Sequence, residues 1–158
     1  MKQIVALFLS VFLCHSVFAA GEGMGVGLIA SHPTGLTLKR WRSDTTAIDA
    51  AVEWETSDDD RLYFHASYLM HDFSLFKPEN TSARLPLYYG VGAYVDIKEN
   101  RPGKENRDDV FGLRVPVGIS MLFNSAPFEI FVELVPTLDL SPDMDLNFEA
   151  AFGGRFYF

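Results

Sequence analysis

The sequence predicts an all-β chain, an eight-stranded antiparallel up-and-down transmembrane β-barrel. Three observations carry this expectation. Apolar residues recur at every second position through most of the chain, which is the period of a strand with two unlike faces. After residue 19 no apolar run is long enough for a membrane helix, and no helical period stands out. The apolar face carries almost no charge, whereas the other face mixes glycine, alanine, serine and tyrosine with a few charges of both signs. A water-facing surface is normally denser in Lys, Glu and Thr. Small residues with sparse opposite charges suit the narrow lumen of an eight-stranded barrel, which side chains fill. The apolar face is therefore assigned to lipid.

The strands follow in order. Met24–Ala30 sets Met24, Val26 and Leu28 on one face with glycines between, and Gly35–Trp41 sets Leu36 and Leu38 against Thr37 and Lys39. Thr46–Thr56 alternates Ile48, Val52 and Trp54 with Asp49, Ala51 and Glu53. Arg61–Asp72 alternates Leu62, Phe64, Tyr68 and Met70 with Tyr63, His65, Ser67 and His71. Leu85–Ile97 has Tyr89, Val91 and Val95 against Tyr88, Gly92, Tyr94 and Asp96. Val110–Phe123 has Leu113, Val117 and Ile119 against Gly112, Arg114 and Gly118. Phe128–Leu140 has Ile130, Val132 and Leu134 against Glu129, Phe131 and Glu133, and Leu146–Phe158 closes the set. Pro116 and Pro136 each remove a ladder donor from a strand interior. The alternation around Pro116 is unbroken, so one lost hydrogen bond is expected there, not a lost strand. Trp54, Tyr68, Tyr89 and the terminal Phe residues are placed at the interfaces as aromatic girdles.

An even strand count returns both termini to one side. Ser43-Asp44 and Asn124–Ala126 are tight turns, expected on the periplasmic side. Ser57–Asp60, Lys98–Asp109 and Ser141–Asp145 are polar and expected outside. Phe73–Arg84 is long for a periplasmic connection, and Ser31–Thr34 is short for an external one.

The ends agree with export. Met1-Lys2-Gln3 is a short positive start, Ile4–Leu13 is apolar apart from Ser10, and Val17-Phe18-Ala19 supplies a cleavage site. Residues 1–19 are assigned to a signal peptide and 20–158 to the barrel. Leu13 is too large to precede a lipidated Cys14. Cleavage removes that single cysteine, so disulfides, thiolate metal sites and cysteine nucleophiles are excluded. The net charge of −8 argues against nucleic acid as a partner. Phe152, Phe156 and Phe158 form the apolar side of a terminal strand of the kind that outer-membrane assembly machinery reads.

Chemistry is sparse. Lys39, Asp49, Glu53, Asp96, Arg114, Glu129, Glu133, Glu149 and Arg155 share the lumen face and are expected to form an ion-pair network. With the last hairpin centred near Asp143, Phe131 falls opposite Arg155, and Glu129 and Glu133 become its diagonal neighbours. A carboxylate dyad among Glu129, Glu133 and Glu149 is the competing reading. His65 and Ser67 are lumen neighbours, and His71 lies too far along the strand to share a metal with His65. No catalytic residue, metal site or cofactor is assigned. Lys98-Glu-Asn-Arg101 and Lys104-Glu-Asn-Arg107 repeat a tetrapeptide around Pro102-Gly103, a mixed-charge hairpin tip and the candidate binding loop.

The segments Pro33–Trp41, Leu85–Gly92, Gly112–Gly118, Phe128–Pro136 and Phe152–Phe158 resemble a family of small bacterial outer-membrane β-barrel proteins found in spirochaetes among others. The resemblance covers nearly the whole mature chain. It implies the fold and the outer membrane as location, and it implies no substrate. The His65–Ser67 pair is similar to one in outer-membrane lipid A deacylases, which turn it toward lipid; here it faces the lumen. The expected function is non-enzymatic: an integral outer-membrane barrel with a structural, envelope or surface-binding role. Its partners would be outer-membrane lipid, the assembly machinery and an extracellular or host protein met through the loops. An adhesin acting through Lys98–Asp109, a barrel-embedded enzyme and a soluble secreted carrier are the alternatives.

Overall fold

The computed structural model describes residues 21–55, 61–76, 82–98 and 108–158. The predicted signal peptide, the Asp58–Asp60 loop and Arg101, Lys104 and Arg107 lie outside the described residues. Ten strands follow in chain order: β1 (Met24–Ala30), β2 (Thr34–Trp41), β3 (Thr46–Glu55), β4 (Arg61–Asp72), β5 (Ala83–Arg84), β6 (Leu87–Lys98), β7 (Val110–Arg114), β8 (Val117–Phe123), β9 (Phe128–Ser141) and β10 (Asp145–Tyr157). Among the described residues there is no helix. Every pairing is antiparallel, and β10 meets both β9 and β1, so the sheet closes on itself. β7 and β8 are two halves of one wall strand, since both pair with β6 on one side and β9 on the other. β5 only extends the sheet beside the end of β8. The wall is therefore a ring of eight, joined mostly to its sequence neighbours. Closure removes most of the strand edges that an open sheet would leave.

The sixth predicted strand is broken where Val115-Pro116 interrupts it. The reason is visible in the ladders. Val115 N–H donates to Pro136 O at 2.9 Å, but Pro136 has no N–H to return. Gly90 N–H donates to Pro116 O at 2.9 Å, and Pro116 likewise returns nothing. Each proline removes one bond, on opposite sides of the strand, while β7 and β8 keep a common register with β9. The alternation survives: Val115 and Val117 face out and Pro116 faces in.

Outward positions are mostly apolar and exposed, Leu38, Val91, Val117, Val132 and Phe152 among them, with the charged Arg40 near the end of β2. Inward positions are mostly buried, except toward the tip of β10. The interior holds two apolar clusters: Ile29, Ala51, Leu69, Tyr88, Phe131 and Ala151 midway, and Trp41, Ala47, Leu122 and Tyr157 near the end where the termini lie. Phe73 and His71 lie tilted against Trp41 and thicken that floor. Four interior aromatics lie across glycines paired directly with them: Tyr157 on Gly25, Tyr94 on Gly112, Tyr88 on Gly118 and Phe131 on Gly153. A Cβ on Gly118 would stand 2.6 Å from the Tyr88 ring, so the ring's position requires glycine there.

The wall is not level. The β1–β2 hairpin turns at Ser31–Pro33, and β10 has its last β1 partner where Phe152 meets Ala30. β10 and β9 continue past that point through Asp145↔Asp139. From Ser141 to Phe148 every residue is exposed.

Candidate functional site

The only dense gathering of polar chemistry among the described residues is the lumen. Its lower tier joins four charged side chains from four strands. Lys39 Nζ donates to Glu129 Oε1 at 2.8 Å, although 90 residues separate them. Arg155 Nη1 donates to Glu129 Oε2 at 3.4 Å and Nη2 to Asp49 Oδ2 at 3.5 Å. Arg155 Nε and Nη2 both donate to Thr37 Oγ1, at 3.1 and 2.9 Å. Tyr157 OH donates to Glu129 Oε2 at 2.5 Å. Two cations thus face two carboxylates, and Arg155 and Glu129 are only 2 % and 0 % exposed.

The backbone register explains the geometry. Arg155 lies opposite Gly27, and Gly27 lies opposite Thr37. With no side chain at Gly27, the guanidinium crosses β1 and reaches β2. A Cβ at Gly27 would collide with the Gly154 carbonyl and the Arg155 Cα. Aromatic faces complete the shell: Lys39 Nζ is 4.7 Å from the Trp41 centroid, and the Arg155 guanidinium is 3.9 Å from that of Phe131.

The upper tier relies more on neutral donors. Arg114 Nη2 donates to Glu133 Oε1 at 3.2 Å, and Tyr88 OH donates to Glu133 Oε2 at 2.8 Å. Tyr63 OH donates to Glu149 at 3.3 Å, Ser31 OH to Glu53, and Tyr94 OH to Asp139. His65 Nε2 lies 3.2 Å from Glu53 Oε1 without hydrogen-bond geometry. At the rim Asp96 takes Arg61 Nε at 2.8 Å and Lys98 Nζ at 3.7 Å.

The predicted network residues all face inward, but they form separate clusters, not one. Lys39, Asp49, Glu129 and Arg155 come together; Arg114 holds Glu133; Asp96, Glu53 and Glu149 have other partners. The predicted hairpin register is corrected. β9 and β10 pair symmetrically about Pro142, one residue before Asp143, so Glu129 itself stands opposite Arg155, and Phe131 faces Gly153. Glu133 consequently belongs to Arg114, and the second carboxylate of Arg155 is Asp49. Arg61 and the four tyrosines that serve carboxylates are not in the predicted network. The alternation puts Tyr63, Tyr88 and Tyr94 on the lumen side but says nothing of their partners, because those sit across the barrel.

The carboxylate pairing decides against ready acid–base chemistry at Glu129 and Glu133, each of which is buried and held by a cation and a phenol. His71 Nδ1 lies 3.3 Å from Thr45 O on the floor, apart from His65 near Glu53. Among the described residues no group of three or more His, Cys, Asp or Glu side chains is arranged to hold a metal ion. Phe152 and Phe156 face outward, and Phe158 exchanges backbone bonds with Met24 at 3.0 and 3.4 Å. Lys98 stands at the neck of the candidate binding loop, where its N–H donates to Asp109 Oδ1 at 3.1 Å.

No family model and no curated protein sequence matches this chain. Among solved structures the chain is similar to the N-terminal β-barrel domain of Pseudomonas aeruginosa OprF. The TM-score is 0.57 at 12 % identity, covering 88 % of this chain and 98 % of that one. That likeness is one of fold: this chain has the architecture of an outer-membrane β-barrel. It does not bear on the finer resemblance to a spirochaete family.

Proposed function

We propose that this chain is a non-enzymatic integral protein of the bacterial outer membrane, a sealed barrel with a structural, envelope or surface-binding role. One observation carries the reading: the apolar face is turned outward as an exposed belt, while most of the strand charges are turned inward and paired with one another. A belt of that kind is stable in lipid and costly in water. An interior filled by Lys39, Arg155 and their partners leaves no column for water, so the barrel acts through what it displays and not through what it passes.

The test is direct. Protein refolded into phospholipid vesicles should migrate faster on a gel unboiled than boiled, and should give no large, reproducible channels in planar bilayers. Identical migration in both states would favour a soluble carrier, and steady large conductance would refute the sealed lumen. A second reading, an adhesin acting through residues 98–109, draws on the neck. There Lys98 N–H and the Asp109 carboxylate tie together the two ends of the segment that carries the repeated Lys-Glu-Asn-Arg sequence. Loss of cell-surface binding on deletion of residues 99–107 would favour it.

A further inference from the structure

The uneven wall leaves a strand edge open, and the backbone directions show which groups it exposes. Phe158 N–H and C=O both bond Met24, whereas Tyr157 N–H donates to Pro127 O at 2.8 Å on the β9 side. Even-numbered residues of β10 therefore point their backbone groups toward β1, and odd-numbered ones toward β9. β1 stops at Ala30, opposite Phe152. Above that level the edge groups of Ala150, Phe148 and Leu146 have no backbone partner among the described residues. Leu146 N–H is capped by its neighbour's Asp145 Oδ1 at 3.0 Å.

Their depth matters. β1 is 7 residues long. It rises ~18 Å at ~3.3 Å per residue and ~40° tilt, short of the ~25 Å apolar band of such barrels. The free groups of Ala150 and Phe148 thus begin in the outer leaflet and emerge at its surface, where unpaired backbone is costly. The side chains beside them are apolar and uncovered: Phe148 is 75 % and Leu146 59 % exposed.

We propose that the open edge of β10 from Leu146 to Ala150 is a strand-addition site for an extended segment of a partner protein in which basic and apolar residues alternate. The backbone groups would supply the ladder, as in other β-augmentation sites. Outward Leu146 and Phe148 would meet the partner's apolar residues. The basic side chains are specified by charge. Asp143, Asp145 and Glu149 flank the edge and Glu53 lies across the notch, while of the nearby cations Arg61 and Lys98 are committed to Asp96 and Arg114 to Glu133. A second copy of the chain does not fit this edge. Two barrels sharing one membrane are related by an axis along its normal, which crosses two strands tilted by ~35–45° at about twice that angle, too steep for a common ladder.

The inference rests on the outer-membrane reading, which unboiled gel mobility tests independently. Full-length protein in phosphatidylcholine nanodiscs is titrated with a short peptide of alternating lysine and valine, and amide exchange is followed by NMR. The Phe148 and Ala150 amides should slow by at least about tenfold, with no effect from an alternating glutamate–valine peptide. Phe148→Pro removes one edge donor without touching the β9 ladder and should weaken binding about tenfold, while Phe148→Ala keeps the donor and the protection. Ala150→Pro serves the same purpose if Phe148→Pro fails the unboiled-gel check. Undiminished binding by a folded proline variant would overturn the proposal. So would protection of those amides in peptide-free protein, whether constant, which would assign the edge to another segment of this chain, or rising with protein density, which would assign it to a second copy.

Discussion

Below the level of Ala30, β10 is bonded along both edges and its inward residues lock into a neutral four-charge cluster. Above that level the same strand keeps only β9, and the inward carboxylates outnumber the cations, so Glu53, Glu149 and Asp139 take serine and tyrosine hydroxyls. The lower part of the barrel is closed in backbone and balanced in charge, while above Ala30 the β10 edge is unpaired and the interior carries an excess of carboxylates. The contrast teaches that one strand can be paired on both edges along one stretch and on a single edge along the next, with the change set by the length of its neighbour.

Removing a lower charge should break the comparison most severely. Arg155→Leu leaves Glu129 and Asp49 with Lys39 alone in a buried site and should cost about 3–5 kcal/mol of folding in vesicles. Arg61→Leu, at the partly exposed rim, should cost about 1 kcal/mol or less. Urea unfolding of both variants decides it, and equal losses would erase the distinction between tiers. Glu129→Gln combined with Arg155→Leu should recover part of the first loss.

Depth in the membrane gives the next largest effect. Val91→Arg, in the exposed belt at mid-strand, should cost about 2–4 kcal/mol, and Leu146→Arg, at the tip of β10, about 0–1 kcal/mol. Equal tolerance at the two positions would place the apolar belt somewhere other than lipid.

The backbone itself supplies the smallest and sharpest pair. Phe156→Pro removes a donor paired with β1 at Val26, and should cost about 1–3 kcal/mol. Phe148→Pro removes the equivalent donor above Ala30 and should change stability by no more than about 0.5 kcal/mol. A large loss at Phe148 would mean that the upper edge is already paired.

Strand number, most boundaries and the two faces were legible because a period of two is a local signal and this wall rarely breaks it. The exact start and end of β4 follow from it. What was not legible is long-range. The Arg155–Glu129 register depended on whether the turn pivots on Pro142 or Asp143, a one-residue choice that moves every partner across the hairpin. The tie from Lys39 to Glu129 spans the lumen, and no spacing along one strand can show it. In the sequence Gly92 and Gly118 are simply small residues on the lumen face. In the barrel a Cβ on Gly118 would strike the Tyr88 ring and the Val132 carbonyl, so even alanine there should cost about 1–3 kcal/mol. The open edge was invisible for a related reason: a strand's sequence does not record how far its neighbour extends.

The central claim is that the wall turns its apolar face to lipid and its charges inward. The chain's two tryptophans test it most directly, since Trp54 faces outward at 45 % exposure and Trp41 faces inward at 8 %. Trp41→Phe and Trp54→Phe leave one reporter each, and both variants are refolded into vesicles whose phospholipids carry brominated acyl chains. Fluorescence from Trp54 should be strongly quenched and that from Trp41 largely spared. Quenching of Trp41 with sparing of Trp54 would contradict the orientation of the barrel wall and everything built on it.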